Sequence, residues 1–152
     1  MSYTEQFTEV HDILAELAPT AGNAAVGTHN TGYVSMADYH RAFVWLHIGE
    51  LGPLSTIDVN LTQATDALGT GAVALTTIAA GTKSPVQIVT ADEGNYIGIE
   101  VRSEEFDVTN GFVFLNAAVV IGGEVSYYSC VIFGIVSRYE PVGVTDFQEV
   151  VA

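Results

Sequence analysis

Residues Ser55 to Leu75 read Ser-Thr-Ile-Asp-Val-Asn-Leu-Thr-Gln-Ala-Thr-Asp-Ala-Leu-Gly-Thr-Gly-Ala-Val-Ala-Leu. The first half alternates: Ile57, Val59 and Leu61 fall on one side, and Thr56, Asp58, Asn60 and Thr62 on the other. Successive side chains of a strand point to opposite faces, so this is a strand with one buried and one wet face. Gly69-Thr70-Gly71 breaks the chain, and a new apolar run starts at Ala72.

Working outward, the same logic gives further strands. Tyr33 to Met36 is short and Arg41 to Gly49 is long and apolar. Ala72 to Ile78, Val86 to Thr90 and Tyr96 to Val101 follow, the last with Ile97, Ile99 and Val101 on one face. Phe112 to Ile121 and Val125 to Tyr139 close the series. Asp92-Glu93-Gly94-Asn95 and Gly122-Gly123-Glu124 read as hairpin turns, because glycine accepts the positive φ that tight turns require. Roughly eight short strands at regular spacing point to an all-β fold: an antiparallel β-sandwich, in jelly-roll form, with an N-terminal helical or extended arm. In the arm, Phe7, Val10, Leu14 and Leu17 recur at helical spacing, so Tyr3 to Leu17 is a helix candidate; an extended arm is the other reading. The expected organisation is 1–31 as arm and linker, 32–140 as the sandwich and 141–152 as a tail.

The chain has 152 residues, 49% hydrophobic and 14% charged, which suits one ordered domain with a sizeable core. No apolar run reaches the roughly 18 residues of a membrane helix. Met1 to Leu17 carries acids and no Lys or Arg, so it does not read as a signal peptide. A formal net charge of −14 with four basic residues repels phosphate backbones and anionic lipid, which speaks against nucleic acid and membrane partners. The one cysteine, Cys130, lies in an apolar run and reads as a buried, inert thiol.

Three strands are apolar on both faces. In Arg41–Gly49, Phe43 and Trp45 oppose Val44, Leu46 and Ile48. In Val125–Tyr139, Tyr127, Val131, Phe133 and Ile135 oppose Tyr128, Cys130, Ile132 and Val136. Phe112–Ile121 behaves likewise. An antiparallel sheet normally leaves one face polar, so a second cover is needed: a second subunit, a partner shell, or the N-terminal segment. The candidate interface residues are Phe43, Trp45, His47, Tyr127, Tyr128 and Phe133 on the sheet, with Phe7, Val10 and Leu14 on the arm.

No reacting chemistry emerges. His11, His29, His40 and His47 show no zinc spacing, and no strained Gly-x-Ser-x-Gly turn occurs, so no catalytic residue, metal or cofactor is expected. Gly69-Thr70-Gly71 lacks the lysine and helix of a phosphate loop. Asp92, Glu93 and Asn95, and the acidic run Glu104, Glu105 and Asp107, offer oxygen donors; a hairpin and a solvated loop are the plainer readings.

Several runs resemble small virion structural proteins of tailed bacteriophages: Tyr33-Val-Ser-Met-Ala-Asp-Tyr-His-Arg-Ala42, the apolar strand closing at Gly49, Ile57-Asp-Val59, and Leu61-x-Gln-Ala-Thr-Asp-Ala-x-Gly-Thr-Gly-Ala-x-Ala-Leu75. The late apolar strands ending at Arg138-Tyr139 fit the same pattern, while Tyr3–Leu17 departs from it. The resemblance is to capsid decoration, or cement, proteins, which clamp neighbouring capsomers from outside. It implies a jelly-roll subunit with the major capsid protein and further copies of itself as partners, as a homotrimer, with a pentamer as the other order. It also implies a place on the capsid exterior after synthesis in the host cytoplasm. A head-fibre, vertex or tail adaptor protein is an alternative within the virion, and a carbohydrate-binding jelly roll is the alternative outside it.

Overall fold

The structure is a computed structural model that describes residues 7–76 and 83–137. Ten strands form two antiparallel sheets. In chain order they are β1 His11–Leu17, β2 Gly27–Asn30, β3 Val34–Ser35, β4 Tyr39–Leu51 and β5 Thr56–Ala64. There follow β6 Val73–Ala74, β7 Ile88–Val89, β8 Tyr96–Arg102, β9 Phe114–Gly122 and β10 Ser126–Ser137. One sheet, sheet A, has the order β1-β10-β4-β8; the other, sheet B, runs β2-β9-β5-β6, with β3 also on β9 and β7 also on β5.

The pairings nest. The first strand pairs with the last (β1 with β10), and β2 and β3 pair with β9. Inside these, β4 pairs with β8 and β5 with β6 and β7. A single long antiparallel hairpin rolled up on itself gives this order, with consecutive limbs passing from sheet to sheet. That is the jelly roll, an architecture found in viral capsid and lectin domains. The all-β sandwich expected from the alternation is therefore the observed fold.

The core lies between the sheets. Ala42, Val44, Leu46 and Ile48 of β4 and Tyr128, Cys130 and Ile132 of β10 face Ile57, Val59 and Leu61 of β5 and Leu115, Ala117, Val119 and Ile121 of β9. Along the central stretch of each long strand the core residues fall at every second position, as the pleat dictates. The anchor strand behaves as read: its Ile57, Val59 and Leu61 face is fully buried.

Four expectations need correction. The helix over Tyr3–Leu17 is a strand for most of its described length: only Phe7–Val10 forms a helical turn, α1, and residues 1–6 lie outside the described residues. The register of β1 on β10 slips between Ile13 and Ala15, which marks a β-bulge. The extra residue lets both Leu14 and Leu17 turn toward the core, three apart, which in sequence imitates a helical face. Second, the described part of the expected arm and linker, 7–31, is built into the sandwich, with β1 in sheet A and β2 in sheet B.

Third, Gly122-Gly123-Glu124 joins β9 of sheet B to β10 of sheet A, so it is a crossover between sheets and not a hairpin. Gly123 has φ +79°, and a Cβ there would meet the Leu54 carbonyl oxygen at 2.3 Å, so glycine is required on both counts. Fourth, Asp92–Asn95 likewise links β7 of sheet B to β8 of sheet A. Among the described residues, the only consecutive strands bonded to each other are β5 and β6. Of the expected strand Ala72–Ile78, residues 77–78 lie outside the described residues and the rest shortens to β6; Val86–Thr90 shortens to β7, and both pair with one edge of β5. Residues 138–152, with Arg138, Tyr139 and the expected tail, lie outside the described residues.

Candidate interaction face

The outer face of sheet A is set by register. Strand β10 pairs Phe133 with Phe43, Val131 with Trp45 and Ser129 with His47. Strand β8 extends these rows, with Glu100 beside Phe43, Gly98 beside Trp45 and Tyr96 beside His47. On the other flank, β1 places Ile13 beside Phe133 and Glu16 beside Val131. Paired residues project to the same side, so all of these share one face.

Rings then connect diagonally across the strands. Phe7, in α1, meets His11 edge-on at 4.4 Å and Phe133 at 6.3 Å. Phe133 lies 6.4 Å from Trp45, Trp45 lies 5.8 Å from Tyr96, and Tyr96 stacks on His47 at 4.5 Å. The result is an aromatic band running from α1 over β10 and β4 to β8. Phe43 adds a ring that lies over Gly98, where a Cβ would approach its Cζ to 2.5 Å, so the missing side chain is what lets the ring lie flat on the sheet. The band is open to solvent: Phe7 is 56% exposed, Trp45 41%, Tyr96 62%, and the neighbouring Tyr127 42%.

Charge is scarce here. Glu100 is bound by Arg41 at 2.8 Å, so that carboxylate is neutralised on the face itself. Glu16 stands at the β1 edge.

The candidate residues divide. Phe43, Trp45, His47, Tyr127 and Phe133 sit on the outer face of sheet A, and Phe7 joins them through its ring contacts. Val10 ends the helical turn and is half-buried, and Leu14 packs against the core. Tyr128 corrects the expectation: it is only 2% exposed and points between the sheets. Its neighbour Tyr127 faces out because alternation admits only one of the two. The expected cover by an N-terminal helix is also corrected, since α1 is a single turn that meets the band through Phe7 against Phe133. Tyr96, Ile13, Val131 and Gly98 were missed. The alternation of Ile97, Ile99 and Val101 already put Tyr96 on the opposite side, but only the pairing of β8 with β4 shows that this side belongs to the band.

The polar candidates are occupied structurally. Glu93 accepts a hydrogen bond from the Leu51 amide at 2.8 Å, and Asp92 from the Val89 amide at 2.9 Å. Glu105 is bound by Lys83 and accepts from the Arg102 amide, and Asp107 accepts from Asn110 Nδ2 at 2.7 Å. His29 Nε2 donates to the Ala25 carbonyl at 2.8 Å. Among the described residues no group of three or more His, Cys, Asp or Glu converges as a metal site. Burial pushes the Cys130 thiol up to about 12 and the Tyr128 phenol well above its ordinary value, so neither is a nucleophile near neutrality. Asp66 is held below the usual carboxylate range by hydrogen bonds, first from the Thr70 hydroxyl and then from the Thr70 amide; it fixes the loop after β5.

No protein-family model and no characterised protein matches the sequence. Among solved structures the chain is similar to one in "Structure of Triatoma Virus (TrV)", at 6% identity and a TM-score of 0.43, covering 91% of this chain and 71% of that one. The jelly-roll assignment rests on the strand pairing and not on this likeness.

Proposed function

We propose that this chain is a structural protein of a virion that decorates or cements the capsid exterior, binding between capsomers as a homo-oligomer, and that it performs no catalysis. One observation carries the reading. On a chain of net charge −14, the outer face of sheet A presents a broad aromatic band whose central rows carry no carboxylate, with Glu100 at its flank bound by Arg41. Such a face is what an interaction protein needs and what an isolated monomer avoids. The jelly roll fits this role, and so does the resemblance to tailed-phage virion proteins, whose residues fall in β3, the start of β4, and β5 with its following loop. The major capsid protein and further copies of the chain are the proposed partners; the net charge disfavours nucleic acid and membranes. Repetition over many capsomers lets each contact be weak while the whole holds firmly.

The test is the copy number of this chain relative to the major capsid protein in purified particles, by quantitative mass spectrometry. A ratio of order one supports decoration. A ratio of a few percent moves the chain to a fibre, vertex or tail adaptor, and absence from particles overturns the virion reading. A second reading has its own observation: Trp45 and Tyr96 are adjacent exposed rings inclined by 36°, a surface on which a sugar ring can stack. Binding on a glycan array that is lost in Trp45→Ala would favour a carbohydrate-binding module.

A further inference from the structure

We infer that the outer face of sheet A is covered by a second copy of this chain, packed face to face across the aromatic band. This rests on the reading of the chain as an oligomeric interaction protein, and it assigns the band to self-association and not to the shell.

Three observations select a second copy. The first is area. Aromatic side chains bury about 150–250 Å² each, so the exposed parts of Phe7, Trp45, Tyr96 and Tyr127 alone offer on the order of 400 Å². Half-buried Ile13, Phe43, Val131 and Phe133 extend the face toward the ~800 Å² that each partner contributes to a stable interface. The second is charge. A chain of net charge −14 meets its own copy at a cost through most surfaces. In the middle of this face Phe133, Val131, Trp45, Ser129 and His47 carry no carboxylate, and Glu100 is closed on Arg41. The third is shape. The band runs from α1 across three strands of the sheet, β10, β4 and β8, and presents the same rings from each copy, which suits the self-complementary contact of a two-fold pair.

The single tryptophan makes the test direct, because Trp45 sits at the centre of the band and no other residue contributes indole emission. The full chain is followed by sedimentation and by Trp45 emission and acrylamide quenching, over a dilution series at about 0.15 M salt, where charge is screened beyond ~8 Å. Assembly with Trp45 emission shifted to shorter wavelength and shielded from acrylamide, both reversed on dilution, is the expected result. Tyr96→Glu leaves the reporter in place and adds a carboxylate at an exposed position; it abolishes assembly and unshields Trp45 with the circular dichroism unchanged. Leu68→Glu, in the exposed loop after β5, leaves both readouts as they were.

A monomer at every concentration overturns the inference, as does assembly in which Trp45 stays as open to acrylamide as in Tyr96→Glu. Shielding of Trp45 that occurs only on particles gives the face to the shell and equally overturns it. Particle copy number is independent of these readouts, so the failure of self-association and the failure of the virion reading are told apart.

Discussion

The two sheets of this sandwich have the same kind of inner face and opposite kinds of outer face. On sheet B the outer residues of β5 and β9 are Thr56, Asp58, Asn60, Thr62, Ala64, Asn116, Ala118 and Val120, with half-buried Phe114 beside Ala64 at one end. Several of the polar groups are held by hydrogen bonds. Asn116 Nδ2 donates to Asn30 Oδ1 and Thr62 Oγ1, both at 3.2 Å, and its Oδ1 accepts from Thr31 at 3.3 Å. Gln87 Nε2 donates to Asp58 Oδ2 at 2.9 Å. Sheet A carries rings at the matching positions. Burial of the inner faces explains why both sheets form; it leaves the outer faces free to differ, and they differ in what each is built to meet. Sheet B is finished against water. Sheet A leaves Trp45, Tyr96 and Tyr127 open to solvent.

If the inner faces are equivalent, equal lesions should cost equally. Leu46→Ala in sheet A and Leu61→Ala in sheet B each remove a fully buried side chain, and each is expected to lower unfolding free energy by about 2–5 kcal/mol in denaturant titration. A cost well below that range at either position would mean that its side chain is not held in the shared core. A second large effect is alkaline. The Cys130 thiol is held up to about 12 by burial, so it stays neutral in the folded state while the unfolded thiol ionises around its ordinary value of 9.0. A raised folded pKa in an acid means that stability is complete below the unfolded value and is lost as pH rises toward the folded one. Stability should therefore fall between about pH 9 and pH 12, by on the order of 1.4 kcal/mol per unit from this thiol, and Cys130→Ala should make that limb shallower while leaving the part that the buried Tyr128 phenol adds above pH 10.0.

The outer faces should respond in opposite ways. Asn116→Ala strands Asn30, Thr62 and Thr31 around a buried site and is expected to cost about 1–3 kcal/mol of stability while leaving assembly intact. Tyr128→Phe probes the inner side of sheet A. The Tyr128 hydroxyl is buried with no hydrogen-bond partner among the described residues, so its removal should raise stability by about 1 kcal/mol. Tyr96→Glu is the smallest of these in stability, within about 0.5 kcal/mol for so exposed a position. Its effect is on association, and a large loss of stability there would show that the ring serves the fold.

The sequence made the strands legible where alternation was clean. The buried Ile57, Val59 and Leu61 and the opposition of Phe43 and Trp45 to Val44, Leu46 and Ile48 could both be read directly. What stayed hidden depends on long-range pairing. Gly122-Gly123 shows a turn, but no local signal says that β10 will cross to the other sheet instead of folding back on β9. The bulge near Leu14 replaced a period of two with a spacing of three, so a strand looked helical. Tyr96 joined the band only through the partnership of β8 with β4, forty-odd residues away in sequence. Tyr128 was misplaced for a simpler reason: two adjacent tyrosines were assigned to the interface when strand geometry allows one.

The central claim is that one outer face is a contact face and the other is not. The most direct measurement is hydroxyl-radical footprinting of intact particles against the dissociated chain, read residue by residue by mass spectrometry. The account predicts strong protection of Trp45, Tyr96 and Tyr127 in particles, with half-buried Tyr33, which bonds to Thr62 on sheet B at 3.1 Å, unchanged. Equal oxidation of the sheet A rings in particles and in the monomer, at a dilution where the chain is dissociated, would contradict it.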